Sequence, residues 1–318
     1  MYHIAIDAMG GDHAPLEIVR GAVEALRQFS DIRLFFTGHV PTLEALLQRE
    51  SVDRERVTLV PSIGVVGMDE LPVPALRSKS DASVLVAAKL VALGRAGAFV
   101  SAGNSGASVV AANLLLKRLP LIERTALAVV FPGLNKETIL LDVGAHIQTK
   151  PNHLLQSAYL GAAYARSVLG CECPRIGLLN VGEESSKGTQ LIQAAYALLS
   201  EAPQLSFYGN IEGWDLPRGT VDVAVCDGFV GNLLLKLAEG MGELFMQVCH
   251  ESDIEVDQEL RKRFDYTEHG GSLVLGLNGI AVITHGRAQS TAIFNAIGLA
   301  RRTMIGELVH DTQIFLEN

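Results

Sequence analysis

Short runs of branched apolar residues alternate along the chain with longer runs in which apolar residues recur at helical spacing. This alternation is typical of a mostly parallel sheet whose two faces are covered by helices, so the sequence predicts an α/β fold arranged as a three-layer α/β/α sandwich. The predicted strands are Ile4–Asp7, Leu34–Gly38, Val57–Val60, Ala98–Ser101, Ala126–Phe131, Thr138–Asp142, Ile176–Asn180, Ser206–Tyr208, Val221–Cys226 and Ile280–Thr284. The predicted helices include Leu16–Phe29, Leu43–Gln48, Asp81–Leu93, Ser105–Lys117, Asn152–Leu169, Thr189–Leu199, Gly231–Cys249 and Ala288–Leu308. No fixed-period repeat, low-complexity tract or linker interrupts the pattern, which favours a single domain over residues 1–318.

The composition fits a globular protein with a large core, since 48% of the 318 residues are hydrophobic and 19% are charged. The net charge of −9 disfavours nucleic acid or anionic lipid as a partner for the whole surface, although it leaves room for a local basic patch. Four cysteines are present, and their spacing suits neither a zinc site nor a disulfide framework: Cys171, Cys173, Cys226 and Cys249. Reduced thiols in an intracellular protein are therefore expected.

The first residues enter a strand directly and lack the basic and apolar regions of a signal peptide. The most apolar stretch, residues 82–100, is interrupted by Lys89 and Arg95, so a membrane span is not expected. Both features predict a cytoplasmic location.

Glycines are concentrated directly after the predicted strands, at the edge where open α/β sheets bind ligands. The turns that hold them are residues 8–13, 101–106, 142–146, 180–188, 226–232 and 284–287. Glycine permits close backbone approach, and the free N–H groups of a following helix bind anions. One such turn is what any α/β protein needs, but several together, carrying Asp, Asn, His, Ser and Lys, favour a binding site for phosphate.

These turns contain no nucleotide-binding motif. Gly188 follows Lys187 where a P-loop has Ser or Thr, and no G-x-G-x-x-G motif follows the first strand. Lys187 precedes the helix predicted from Thr189, so its ammonium and the nearby N–H groups are able to bind one anion, unless the lysine is simply solvated. No pair of residues has metal-ligand spacing, and Glu183 with Glu184 reads more simply as polar loop residues.

A serine hydrolase is an alternative, because residues 103–107 resemble a nucleophile elbow and Ser105, Asp227 and His285 occur in hydrolase chain order. Ala107 replaces the second glycine of that motif, and a role for Ser105 as the N-cap of the next helix is favoured. Three histidines lie in glycine turns, and one of them is expected to contact an anion or act as a base: His13, His146 and His285.

Eight blocks in one order, spread over nearly the whole chain, resemble the PlsX-type phosphate acyltransferases of bacterial phospholipid synthesis. The blocks are Ile4–Pro15, Val100–Gly106, Leu141–Ala145, Gly177–Glu184, Lys187–Gly188, Tyr208–Gly213, Val225–Asn232 and His269–Gly271. The chain departs from the family's usual pattern at His146, where asparagine is usual, and near Ala82-Ser83, where a Ser-Ser pair is common.

The resemblance implies a homodimer, related in fold to isopropylmalate dehydrogenase and phosphotransacetylase, that converts acyl–acyl carrier protein and inorganic phosphate into acyl phosphate. It implies no cofactor, nucleotide or metal. It is also compatible with peripheral contact at the inner face of the cell membrane and with a downstream membrane glycerol-3-phosphate acyltransferase as a partner. A second alternative is a non-catalytic anion-binding subunit of an acyltransferase complex.

The glycine turns suit this chemistry because N–H donors bind an oxyanion without side-chain bulk. The turns at Gly103–Gly106 and Gly182–Gly188 are expected to hold phosphate, and His13 or Asp227 to accept its proton. The candidate catalytic residues are Lys187, His13, Asp227 and Asn180. The candidate phosphate-binding residues are Gly10, Gly11, Ser101, Gly103, Asn104, Ser105, Gly106, Gly182, Gly188, Gly228, Asn232 and His285.

The acyl carrier protein is acidic in the family's systems, so a basic docking surface is expected. The candidate surfaces are Arg77 with Lys79, Lys117 with Arg118, and residues 261–263. A helical excursion over residues 229–268 is expected to hold the dimer contact. Its apolar side chains are Leu234, Leu237, Met241, Leu244, Phe245 and Val248.

Overall fold

The computed structural model describes residues 1–134, 136–264 and 270–317, apart from the side chains of Gln258 and Phe264. His269 of the last block, and residues 265–268 of the predicted excursion, lie outside the described residues. The chain forms two compact units. The first unit is Met1–Leu119 with Thr267–Val309, and the second is Pro120–Tyr266 with His310–Asn318. The single domain expected over residues 1–318 stays a prediction.

Eleven strands and twelve α-helices are described in these ranges. The strands are β1 (Tyr2–Asp7), β2 (Ile32–Gly38), β3 (Val57–Pro61), β4 (Ala98–Ser101), β5 (Ala126–Phe131), β6 (Thr138–Leu141), β7 (Arg175–Leu179), β8 (Ser206–Ile211), β9 (Val223–Val225), β10 (Ser272–Leu275) and β11 (Ile280–Ile283). The helices are α1 (Leu16–Gln28), α2 (Val40–Gln48), α3 (Pro72–Ser78), α4 (Ser83–Ala92), α5 (Ser105–Leu116), α6 (Pro151–Ser167), α7 (Gln190–Ser200), α8 (Asp215–Arg218), α9 (Gly228–Glu251), α10 (Gln258–Phe264), α11 (Ser290–Ile305) and α12 (Leu308–Glu317).

The strands of the first unit lie in the order β3-β2-β1-β4-β11-β10. All neighbours are parallel except β10, which pairs antiparallel with β11. Ile4, Ala5 and Ile6 of β1 are all fully buried. Because successive side chains of a strand point to opposite faces, both faces of this sheet are covered. The parallel strands bring the ends of β1, β4 and β11 to one carboxyl edge.

The strands of the second unit lie in the order β5-β6-β9-β7-β8, with only β5 antiparallel. Ile139, Leu140 and Leu141 of β6 are fully buried, so this sheet is also covered on both faces. Its carboxyl edge carries the turns that follow β6, β7 and β9. The predicted α/β class with a mostly parallel sheet and flanking helices is confirmed.

Two details of the predicted elements are wrong. The helix predicted to run through Leu308 ends at Ile305, because Glu307 has a φ of 49°, outside the range of a right-handed helix. The N-cap of α5 is Asn104, whose Oδ1 accepts from the N–H of Ala107 at 3.0 Å, and Ser105 is the first helical residue. Among the described residues, no helix combines the length and apolarity needed to cross a bilayer.

Candidate functional site

The carboxyl edge of the first unit brings together three of the glycine turns. We call residues 7–13, 101–108 and 284–287 the Asp7 edge. The N–H of Asp12 donates to the carbonyl of Gly286 at 2.9 Å, which ties the first and third turns. The predicted residues Gly10, Gly11, Ser101, Gly103, Asn104, Ser105, Gly106, His13 and His285 all lie at this edge.

Asp7 ends β1 and is 2% exposed. Its Oδ2 accepts a hydrogen bond from the hydroxyl of Ser101, the last residue of β4, at 2.7 Å. Its Oδ1 is buried and accepts no hydrogen bond of good geometry from the described residues. Burial raises the pKa of the Asp7 carboxyl, and the hydroxyls of Ser83 and Ser101 with the backbone N–H groups of Met9 and Gly10 oppose this only in part.

The first two turns of the Asp7 edge pack backbone against backbone. A Cβ added to Gly10 would overlap Oδ2 of Asp7 and lie 2.9 Å from the Cα of Gly103. A Cβ added to Gly103 would lie 3.3 Å from both Asp7 Oδ2 and the Cα of Gly10. At position 10, only glycine fits without displacing the carboxyl group, whereas the contact at position 103 is tight.

Asn104 holds a neighbouring segment, residues 65–70, which we call the 65–70 strap. Its Nδ2 donates to the carbonyls of Gly67, Met68 and Glu70 at 3.2, 3.0 and 3.0 Å. Glu70 closes the strap by accepting from the N–H of Gly67 at 2.6 Å and from Nζ of Lys79 at 2.5 Å. The side chain predicted to bind phosphate is therefore occupied in capping α5 and holding the strap.

Ser105 and His285, the nucleophile and base of the hydrolase alternative, are not joined by a hydrogen bond in the described part of the chain. Ser105 and His13 are exposed, and the Ser105 hydroxyl has no hydrogen-bond partner among the described residues. Nδ1 of His285 accepts from the N–H of Arg287 at 3.3 Å. A nucleophilic serine needs a hydrogen bond to its base, so the geometry at this edge does not favour the serine hydrolase alternative.

In the second unit, the turn after β7 presents Lys187. Asn180 organises this turn: its Nδ2 donates to the carbonyl of Lys187 at 3.2 Å, and its Oδ1 accepts from the N–H of Val181 at 2.8 Å. Asn210 at the end of β8 supports the same turn by donating to the carbonyl of Glu184 at 3.0 Å. Lys187 is exposed, and no partner binds its Nζ within the described part of the chain. Gly182 and Gly188 lie on either side of it.

The turn after β6 is built on Asp142. Its carboxylate accepts from the backbone N–H groups of Leu127, Gly144, Ala145 and His146 at 2.9–3.1 Å. Such donors satisfy a carboxylate that is 5% exposed. The sequence placed Asp142 in this turn without counting it among the candidate site residues.

The start of α9 lies directly against that turn. A Cβ added to Gly231 would overlap the carbonyl oxygen of Asp142, and Nδ2 of Asn232 donates to the carbonyl of Val143 at 3.0 Å. Asp227 caps α9, with its Oδ1 accepting from the N–H groups of Phe229 and Val230 at 3.0 Å each.

These positions fix part of what each predicted residue does. Asn180, Asn232 and Asp227 bind backbone groups and shape the turns of the second unit, whereas Lys187 and His13 have exposed side chains. The described residues contain no group of His, Cys, Asp or Glu suited to hold a metal ion. The assignment of the predicted site residues to catalysis and to phosphate binding stays a prediction.

Sequence reasoning missed the two buried aspartates, Asp7 and Asp142. A signal was present in both cases, since each directly follows apolar residues of a buried strand: Ile4-Ala-Ile before Asp7, and Ile139-Leu-Leu before Asp142. A charged residue at that position needs a partner that local pattern alone does not identify.

Known sequences similar to this chain include phosphate acyltransferases. The sequence model of a family described as fatty acid synthesis protein matches residues 2–310. A phosphate acyltransferase of Heliobacterium modesticaldum is 45% identical over 313 residues, which are 94% of this chain and 93% of the relative. A phosphate acyltransferase of Desulfitobacterium hafniense is 45% identical over 312 residues, 94% of this chain and 92% of the relative.

Solved structures with a similar fold include phosphotransacetylases. One from Streptococcus pyogenes superposes with a TM-score of 0.67 at 16% identity, covering 96% of this chain and 94% of that chain. A branched-chain phosphotransacylase from Enterococcus faecalis superposes with a TM-score of 0.62 at 17% identity, covering 98% and 99%. The expected likeness to phosphotransacetylase folds is confirmed. With its family model matched over almost its full length, the chain belongs to the fatty acid synthesis protein family.

Proposed function

We propose that the protein is a phosphate acyltransferase that moves a fatty acyl group from acyl–acyl carrier protein to inorganic phosphate. The product is an acyl phosphate for glycerophospholipid synthesis. Two relatives that are 45% identical over nearly their whole length are named phosphate acyltransferases, which supports the reaction class. The acyl donor and the product are finer than that class and are those that the resemblance of the eight sequence blocks implies.

In this reaction an oxygen of hydrogen phosphate attacks the thioester carbonyl carbon. A C–O bond forms, the C–S bond breaks, and the phosphate proton passes to the leaving thiolate, so that acyl phosphate and free thiol result. The thiolate is a good leaving group because its conjugate acid has a pKa of about 8.5. The protein's main task is therefore to hold a multiply charged oxyanion and to stabilise the negative charge on the carbonyl oxygen.

One observation carries the proposal: Lys187 projects from a turn that other side chains have fixed. Asn180 and Asn210 bind the backbone of residues 181–188, so the backbone at Lys187 is held in place before a ligand arrives. An exposed ammonium that extends from such a turn, beside glycines, suits a phosphate group. In the first unit, the N–H groups of Ser105 and Gly106 belong to the first turn of α5, where helical donors lack intrahelical partners. They supply a second candidate oxyanion contact.

The test uses the purified chain with an acyl–acyl carrier protein thioester, inorganic phosphate and hydroxylamine. Formation of acyl hydroxamate that requires both protein and phosphate is expected, without added metal or nucleotide. Thioester loss that proceeds equally without phosphate would indicate a hydrolase and contradict the proposal. Phosphate binding without turnover would instead indicate a non-catalytic subunit.

The acyl carrier protein is the proposed partner on a basic surface. Lys79 is paired with Glu70, and Arg263 lies near Glu259 at 3.6 Å, so these two basic groups have acidic neighbours. Charge reversal of the exposed residues Arg77, Lys117 and Lys262, one at a time, is expected to raise the KM of the acyl carrier thioester at one of the three sites. Unchanged KM values in all three variants would show that none of these surfaces docks the acyl carrier protein.

A second copy of the chain is the proposed occupant of the outer face of α9. Leu234 packs against the core of its own unit. Leu237, Met241, Leu244 and Val248 are 48–59% exposed and recur at helical spacing. Such a stripe suits an isologous dimer contact. Light scattering of the wild type is expected to give twice the mass of the chain, and the Met241→Glu variant is expected to give a lower mass. A monomeric wild type would contradict the proposed dimer. Flotation with liposomes tests the expected membrane contact of the same region.

A further inference from the structure

We propose that Asp7 is a positioning residue for phosphate: through Ser101 it fixes the two glycine turns that follow β1 and β4. This inference rests on the proposed function, because it assigns phosphate to the Asp7 edge. Neither the glycine pattern nor the expected catalytic residues include this aspartate. Its role follows from three observations on buried groups of the first unit.

The first observation is the hydrogen-bond balance of Ser101. Its hydroxyl oxygen accepts from the N–H of Gly103 and from the hydroxyl of Ser108, both at 3.1 Å. A hydroxyl accepts at most two hydrogen bonds and donates one, so its own proton is directed to Oδ2 of Asp7 at 2.7 Å. Asp7 thereby determines the orientation of the hydroxyl that anchors the N–H of Gly103.

The second observation is the contact between the turns. Gly10 and Gly103 face each other with the Asp7 carboxyl group beside both; a Cβ at Gly10 would overlap Oδ2 of Asp7, and a Cβ at Gly103 would be a tight contact at 3.3 Å. The carboxyl group therefore acts as a spacer as well as an acceptor. Because interiors are closely packed, removing it would leave both turns free to shift.

The third observation is Oδ1 of Asp7, which accepts no hydrogen bond of good geometry and is buried beside a small cavity about large enough for one water molecule. The cavity is also lined by Ser83, Asn104 and Ser108, with Val65 and Val66 of the 65–70 strap as its apolar wall. A buried acceptor without a donor is costly and has to be explained. A buried carboxyl group at Asp7 costs stability, which fits a role in positioning the turns after β1 and β4.

These contacts act on phosphate through backbone geometry. The N–H groups of the turn that Ser101 anchors continue into the first turn of α5, where the oxyanion is proposed to bind. Displacing donors by about 1 Å is enough to lower rates about a hundredfold. The loss is therefore expected in the use of phosphate and not in the binding of the acyl donor.

The experiment compares Asp7→Ala, Asp7→Asn and Ser101→Ala by steady-state kinetics, varying phosphate and the acyl carrier thioester separately. Asp7→Ala and Ser101→Ala are expected to raise the phosphate KM at least tenfold and to leave the thioester KM within twofold. Asp7→Asn keeps an acceptor for Ser101 and is expected to restore the phosphate KM to within about fivefold of the wild type. Asp31→Asn is the matched control, since Asp31 lies in the same unit beside the amino end of β2 and pairs with Arg301.

Three results would overturn the inference. In the first, folded Asp7→Ala and Ser101→Ala keep the wild-type phosphate KM. In the second, both KM values rise together as the thermal midpoint falls. In the third, Asp7→Asn is as impaired as Asp7→Ala, which would assign the role to the carboxylate charge and not to positioning. If Asp7→Ala does not fold, Ser101→Ala and Asp7→Asn decide the matter. A wild type without phosphate-dependent turnover contradicts the proposed function itself, whereas an active wild type with unaffected variants contradicts only this inference.

Discussion

Asp7 and Ser101 are partners in the register of two adjacent parallel strands, and their side chains form a buried hydrogen bond of 2.7 Å at the carboxyl edge. The pair joins positions 94 residues apart in the chain. The pair brings the turns after β1 and β4 into contact with the same carboxyl group, that of Asp7. Its chemistry leads directly to a pH dependence of stability.

The pH prediction concerns wild type and Asp7→Asn. Burial raises the pKa of Asp7 above its ordinary value of 3.8. Between that value and the raised pKa, the unfolded chain ionises while the folded chain does not, so stability falls as pH rises. Each unit of elevation contributes on the order of 1 kcal/mol. Asparagine cannot titrate, so the stability of Asp7→Asn relative to wild type should increase from pH 4 to pH 7.

Chemical denaturation of both proteins across this range provides the measurement. Other titrating groups are shared by both proteins and cancel in the difference. A difference that stays constant with pH would show that Asp7 does not titrate at an elevated pKa.

The second prediction concerns Lys187. Hydrogen bonds between charged groups contribute about 1.5–3 kcal/mol. Lys187→Ala is therefore expected to raise the phosphate KM by about tenfold or more, with little change in thermal stability, because the side chain is exposed. Lys89→Ala is the control, since Lys89 is an exposed lysine on α4. An unchanged dependence of rate on phosphate in Lys187→Ala would remove this residue from the site.

The third prediction compares two glycines of the same helix. Gly231→Ala places a Cβ onto the carbonyl oxygen of Asp142, whereas a Cβ at Gly240 meets nothing within 4 Å. Gly231→Ala is expected to lower the free energy of unfolding by about 1–3 kcal/mol. Gly240→Ala is expected to raise it by up to about 1 kcal/mol, because alanine favours the helix. Equal effects of the two substitutions in urea unfolding would contradict the close packing of α9 on the turn after β6.

The fourth prediction separates the two roles of Asn104. Asn104→Asp keeps an oxygen that caps α5 but loses the donors to the 65–70 strap. Asn104→Ala loses both and is expected to be less stable by about 1 kcal/mol more, the contribution of a helix cap. Both variants should be cut faster than wild type by a protease within the strap. Unchanged cleavage in both would show that Asn104 does not hold the strap.

Local pattern accounts for most of the fold and for less of the candidate site. Period and branched residues located the parallel strands, but β10 was missed because its four residues follow Gly270-Gly271 and are too short to show alternation. Helix α3 was not predicted; it has seven residues, too few to show a helical period, and begins at Pro72, since proline is tolerated in the first turn of a helix.

Within the site, the choice between adjacent residues depended on distant partners. Asn104 and Ser105 are both suitable caps, and Asn104 takes the role while its Nδ2 binds carbonyls more than 30 residues earlier in the chain. Identifying Asp7 as part of the site requires knowing that β1 lies beside β4. Strand order depends on tertiary packing, which the periodicity of a single segment does not contain.

The strand order of the first unit has a consequence during protein synthesis. β11 lies between β4 and β10, and α11 packs on β1, β4 and α1. One edge of β4 therefore has no strand partner until β11 is synthesised, about 180 residues later. At about 5–20 residues per second, the nascent sheet keeps an unpaired edge for roughly 10–40 s. During that interval it is open to mispairing with other chains. Chaperones are thus expected to bind the nascent chain while its sheet is incomplete, before the protein is able to bind any ligand.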